Sequence, residues 1–157
     1  MDDRLATKRE PWHHDTMDAA LRNDLFAFVA RIPSARWLGD DEAESLRVRV
    51  AVRFGWDEGR LWGWEARPAH ATSIAYGSTD GVARLEELLP ASSAPLYLFV
   101  TDDDAPPWPC VCAPKSVLAE LVREHRFFEY FVVDAALEQI VFDTHHDTLV
   151  TWRADGA

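Results

Sequence analysis

Apolar residues recur along this chain with two different periods, and the switches between them predict its elements. Met17, Leu21, Leu25, Phe28, Val29 and Ile32 are spaced by threes and fours, which lines them on one side of a helix. That helix opens at Asp15 or Thr16, either of which can accept hydrogen bonds from its exposed N–H groups, and it stops before Pro33. The stretch from Asp40 to Phe54 carries both periods at once. Leu46, Val48, Val50, Val52 and Phe54 alternate with Arg47, Arg49, Ala51 and Arg53 as a strand would, yet Ala43, Leu46, Val50 and Phe54 also line a helical face behind the acidic start Asp40-Asp41-Glu42. The pattern predicts a short helix passing into a strand. Asp57-Glu58-Gly59 then supplies a turn, and Leu61 to Ala66 reads as a strand with Trp62 and Trp64 on one face.

Beyond Pro68 the pattern predicts a strand from Thr72 to Tyr76 and a helix from about Asp80 to Leu89 with Val82, Leu85, Leu88 and Leu89 facing inward. Leu96 to Val100 is a continuous apolar run of strand length, expected near the middle of a sheet. After an acidic, proline-rich loop at residues 102–107, Trp108 to Cys112 reads as a brief edge strand, where prolines are tolerated. Pro114 suits the first turn of a helix running to about Arg126, with Val117, Leu118, Leu121 and Val122 toward the core. Phe128 to Asp134, Gln139 to Asp143 and Thr148 to Trp152 close the chain as strands. This order predicts one α+β domain over residues 15–157: a largely antiparallel sheet, helices packed on one face, and a C-terminal three-stranded meander. Residues 1–14 read as a loose, polar, aperiodic tail, with Trp12 expected to tuck against the body.

Length changes this picture little, because 157 residues suit one core and are too few for two comfortable domains. Charge changes it more. The formal net charge is -11, and it is uneven: residues 1–79 carry 13 acids and 11 bases, residues 80–157 carry 14 acids and 5 bases. An electronegative carboxy-terminal half repels nucleic-acid phosphates and anionic lipid and speeds encounter with a basic protein. The amino-terminal residues lack the apolar run of a signal peptide, and no stretch approaches the roughly 18 apolar residues of a membrane span, so the expected compartment is the cytoplasm.

The candidate chemistry is thin. Neither a G-x-G-x-x-G loop nor a P-loop lysine motif occurs, no serine sits in a G-x-S-x-G elbow, and no cofactor or catalytic residue is expected. Cys110 and Cys112 share one side of a strand, but zinc sites use pairs spaced by two to four residues, usually twice over. Cys110, Cys112, His145 and His146 are therefore expected to bind no zinc. Asp143-Thr144-His145-His146-Asp147 is the most suggestive run, setting two imidazoles between carboxylates at a hairpin. Adjacent strand residues point to opposite faces, so His145 and His146 act together only if the turn bends them together. Asp143 and Asp147 also suit a purely structural turn. Glu129 and Asp134, facing Asp143 on the next strand, read as solvated strand acids rather than a catalytic pair.

Seven tryptophans are too many to leave in water, and most should fill the core. Trp108, in its acidic and proline-bounded loop, is the candidate for an exposed anchor, because tryptophan is enriched at interface hot spots. Asp102, Asp103, Asp104, Trp108, His145, His146 and Asp147 thus form the expected docking set for a basic protein partner. The alternative is a small enzyme or metal protein built on Asp143, His145, His146 and Asp147.

Trp62-Gly63-Trp64-Glu65, Leu96 to Val100, Phe128 to Asp134 and Phe142 to Leu149 are, in that order, similar to blocks of a family of small acidic bacterial proteins. That family in turn resembles immunity proteins, which neutralise toxins exchanged between competing bacteria. The resemblance spans about residues 60–152 and implies no catalytic residues. It implies a non-enzymatic binding domain, with a toxin domain as the basic partner.

Overall fold

A computed structural model describes residues 19–57, 63–102 and 106–155. The tail at residues 1–14, the cap at Asp15 or Thr16, the core position of Met17, the end of the 57–59 turn and the Trp62 position lie outside the described residues. Four helices are described: α1 (Ala19–Ala30), α2 (Asp40–Phe54), α3 (Gly81–Leu88) and α4 (Lys115–Glu124). The strands are β1 (Arg36–Trp37), β2 (Thr72–Ala75), β3 (Leu96–Val100), β4 (Cys110–Ala113), β5 (Tyr130–Asp134), β6 (Gln139–Thr144) and β7 (Thr148–Arg153). They form a 7-stranded sheet in the order β1-β4-β3-β5-β6-β7-β2. Every pairing in it is antiparallel, and β5, β6 and β7 make the C-terminal meander.

Strand apolarity follows from position in that order. The inner strands β3 and β5 are covered on both faces, so successive residues must all be apolar, and Tyr130 to Val133 are indeed all buried. Leu98, Val100, Val132, Val141 and Leu149 face a core shared with Leu25 and Phe28 of α1, Leu85 of α3 and Leu118 and Leu121 of α4. Phe99, Phe131, Val133, Phe142 and Trp152 face the other way, against Leu46, Val50 and Phe54 of α2. Three of the helices therefore share one face as the sequence suggests, and α2 departs from that arrangement by covering the opposite face.

Residues 40–54 are helix throughout, which removes the strand expected at their end. Asp40, Asp41 and Glu42 sit in the first turn, where the helix dipole favours negative charge, and Gly55 at φ +76° closes the last turn by donating to the Ala51 carbonyl. Packing favours the helix too. Arg47, which a strand would have put on the polar face, is buried, with its guanidinium forked onto the Glu44 carboxylate at 2.6–2.8 Å and lying 5.9 Å from the centre of the Trp108 ring.

The expected strand at 61–66 is replaced, over its described part, by a short 3-10 turn at Gly63–Ala66. Its glycine explains the close approach: a Cβ at Gly63 would stand 3.0 Å from Trp56 and 3.1 Å from Phe142. β4 is not an edge strand, because β1, a two-residue strand too short to show a period, pairs along its outer side. No helix among the described residues is long and apolar enough to cross a membrane.

Candidate functional site

Residues 145–147 connect β6 to β7 across the Thr144–Thr148 pair, with Asp147 at φ +51°. A three-residue hairpin loop ending in a left-handed residue is a favoured closure, and aspartate tolerates that conformation better than most side chains. The consequence is that His145 and His146 do not diverge as strand neighbours would. Their ring centres are 3.9 Å apart, and both rings meet the Trp64 indole edge-on at 5.9 Å.

Beneath the turn lies Glu129, the residue before β5. Its carboxylate is buried and accepts a hydrogen bond from His145 Nδ1, while the imidazole stays 39% exposed. The Glu129 carbonyl accepts from the backbone N–H groups of Thr101 and Asp102, at 2.9 and 3.0 Å. One residue thus ties the hairpin to the loop after β3. Asp102 in turn accepts a hydrogen bond from Arg126 at 2.9 Å and adopts φ +39°.

Asp143 is the second buried carboxylate. It stands directly across the ladder from Tyr130 and accepts a 2.8 Å hydrogen bond from the Tyr76 hydroxyl. Burial pushes its pKa up to about 6; the hydroxyl donors work against that rise, and the charges of Asp147 and Glu129 add to it. Burial likewise raises the pKa of both tyrosines, with the buried Tyr130 directly across the ladder from Asp143. Trp56, Trp64, Trp108, Glu129, Tyr130 and Asp143 border a cavity of about 10 Å³, room for about one water molecule. Two larger hollows among the described residues, of about 300 Å³ beside Phe54 and Trp152 and about 370 Å³ between Phe26 and Trp37, are lined by neither His145 nor His146.

Of the expected docking set, Asp102, His145, His146 and Asp147 come together at this end of the sheet, and the hairpin residues are exposed. Asp103 and Asp104 lie outside the described residues. Trp108 is not an exposed anchor: it is 4% accessible and packs edge-on to Phe131, because the aromatic face of the sheet needs a ring there. The reading of Glu129 and Asp143 as solvated acids is also corrected, since both are buried. Asp134 is not with them; at the far end of β5 it accepts from the Glu138 and Gln139 N–H groups, both at 2.8 Å, and shapes the β5–β6 turn.

Cys110 and Cys112 are free thiols on β4, separated from the histidine hairpin by β3 and β5. Burial raises both thiol pKa values, which disfavours the thiolates a metal or a nucleophilic reaction would need. No group of three or more His, Cys, Asp or Glu among the described residues could hold a metal ion. Sequence reasoning found the hairpin, took Glu129 for a solvated acid rather than the hairpin's support, and gave Trp64, Tyr76 and Arg126 no part in the site. A glutamate opening an otherwise apolar strand, Phe128-Glu129-Tyr130-Phe131, was the available signal for the role of Glu129. Comparison with protein-family models, with curated proteins and with solved structures finds no match to this chain.

Proposed function

We propose that the protein is a non-enzymatic binding domain for a basic protein partner, of the toxin-neutralising kind, and that it docks through the end of the sheet built around Glu129. The observation that carries this reading is the meeting there of two segments distant in sequence, the loop at Asp102 and the hairpin of His145, His146 and Asp147, both bonded to that one residue. A buried carboxylate hydrogen-bonded to the exposed turn above it fixes a surface shape, which suits recognition. Electrostatics supports the same reading. Four of the five bases of the carboxy-terminal half, Arg84, Arg123, Arg126 and Arg153, pair with Glu87, Glu86, Asp102 and Glu138, while the half holds 14 acids in all, so its net field stays negative. The compartment that goes with such a role is the cytoplasm.

The test is capture of partners from native lysate at low salt on the intact chain and on a His146→Ala, Asp147→Lys variant, followed by binding kinetics with the protein recovered. The wild type should retain a basic protein that the variant loses. Association should slow between about 0.1 M and about 1 M salt, as the Debye length falls from about 10 Å to about 3 Å, because rim charges act on encounter. Equal retention by the two proteins, or an association rate indifferent to salt, removes the proposal.

A further inference from the structure

The two edges of the sheet are finished differently. At one edge, β1 is two residues long and carries the Arg36–Glu42 ion pair, whose two hydrogen bonds measure 2.7 and 2.8 Å. Short, charged edges discourage further pairing. At the other edge, β2 pairs only with β7, and its Thr72-Ser73-Ile74-Ala75 has no charge, no proline and no bulge. Thr72, Ser73 and Ala75 are exposed and Ile74 is half-buried. Nothing among the described residues covers this edge or guards it.

Charge at the ends of β2 says what fits. Arg67 and His70 precede the strand, both exposed, with the Arg67 guanidinium 6.0 Å from the centre of the Trp64 ring and His70 held 3.3 Å from the Arg153 carbonyl. Past the other end stand Asp80 and Asp147, both exposed, and the Asp147 carbonyl accepts from the Tyr76 N–H at 3.0 Å. A strand basic before its start and acidic after its end is complementary to its own antiparallel copy. Since Tyr76 turns its N–H toward β7, Ser73 and Ala75 turn their backbone groups outward, and a two-fold axis at Ile74 would pair Ser73 of each copy with Ala75 of the other, continue the ladder, and bring Arg67 and His70 of each copy toward Asp80 and Asp147 of the other.

We infer that the protein pairs with a second copy of itself along β2, joining two sheets into one. The contact is narrow, less than ~1,000 Å², so association is weak and reversible. It shares Asp147 with the docking end proposed above but rests on the β2 edge, and the variants that test it leave residues 145–147 and Asp102 untouched.

Sedimentation velocity of the intact chain, from about 1 µM to about 1 mM at about 0.15 M salt, tests this in the range where so small a contact associates. A monomer–dimer equilibrium is expected. Ser73→Lys, which sets like charges near the axis, should weaken it roughly ten-fold, and so should Arg67→Glu with His70→Glu. Glu42→Ala, at the guarded edge, should leave it unchanged. Thermal melts of each variant show that loss of dimer is not loss of fold. Hydrogen exchange adds a local readout, with amides in Thr72–Ala75 gaining protection as concentration rises. A monomer at every concentration overturns the inference and leaves the edge to an extended segment of some other protein. A dimer that ignores both edge variants overturns it as well, by placing the contact elsewhere.

Discussion

Toward α1, α3 and α4 the sheet presents Leu98, Val132, Val141 and Leu149, whereas toward α2 it presents Phe99, Phe131, Phe142 and Trp152. Branched aliphatic chains interdigitate at many angles and close over small gaps. Rings are rigid plates that meet in a few preferred geometries: Phe99 stacks on Phe131 at 4.8 Å and Phe142 on Trp152 at 5.4 Å, while Trp56 meets Phe131 and Phe142 edge-on at 5.5 Å. Plates tile a surface imperfectly. Where the tiling runs out, between Trp56, Trp64 and Trp108, lie the one-water cavity and Glu129. The comparison teaches that the candidate site grows from the margin of the aromatic face, where packing leaves polar groups room.

The largest expected effect tests whether the faces differ in strength as well as in composition. Phe131 sits on a central strand against Phe99, Trp56, Trp108 and Phe142. Phe131→Ala should cost ~4 to 5 kcal/mol, near the top of the range for such truncations, because rigid neighbours cannot collapse into the space. Leu98→Ala, equally buried on the other face, should cost nearer ~3 kcal/mol. Urea unfolding of both variants decides it. Equal costs would show that the two faces resist cavities alike.

Much of this fold could be read from residues, and the exceptions have physical causes. Leu96–Val100 was legible because five consecutive apolar residues of strand length suit a strand buried on both faces. The α2 segment was ambiguous because Leu46, Val50 and Phe54 are four apart, a spacing that fits a period of two and a period of 3.6 equally. The discriminating residues are Arg47, buried, and Val52, 73% exposed, and their burial depends on a tertiary partner rather than on pattern. The histidine hairpin was legible from local turn chemistry. Its support was not: Glu129 reaches His145 across 16 positions and Tyr76 reaches Asp143 across 67, contacts created by the β5–β6 and β2–β7 pairings.

The next effect has the sign opposite to that of a carboxylate stabilised by a salt bridge. Asp143 titrates near 6 in the folded chain against an ordinary 3.8, so the folded state binds a proton more tightly than the unfolded one. Stability from this group is therefore present at low pH and lost as pH rises from about 4 to about 6, by ~3 kcal/mol at most. Asp143→Asn keeps an oxygen for the Tyr76 hydroxyl and carries no charge. It should flatten that part of the pH profile and, at neutral pH, be more stable than wild type by up to ~3 kcal/mol. Urea unfolding across pH measures both. A variant less stable at neutral pH would show that the Tyr76 and Tyr130 hydroxyls outweigh desolvation. Confirmation would sharpen the contrast between the two buried acids: Glu129, at the aromatic margin, has an imidazole partner, and Asp143, across the ladder from Tyr130, relies on hydroxyls.

The smallest effect concerns how the loop after β3 is held to that margin. Arg126 and Asp102 form an ion pair at 2.9 Å, but the arginine side chain is 50% exposed, where solvent screening leaves such pairs ~1 kcal/mol or less. The backbone bonds from Thr101 and Asp102 to the Glu129 carbonyl have no such exposure to salt, because the carbonyl belongs to a buried residue. A double-mutant cycle with Arg126→Ala and Asp102→Ala should return a coupling of ~0.5 kcal/mol that fades in about 1 M salt. Hydrogen exchange at the Thr101 and Asp102 amides should be little changed in the Arg126 variant, since their acceptor is untouched. A coupling above ~2 kcal/mol, or amides that open when Arg126 is removed, would mean that side-chain charge holds the loop in place, and the docking end would then be expected to loosen in high salt even without a partner.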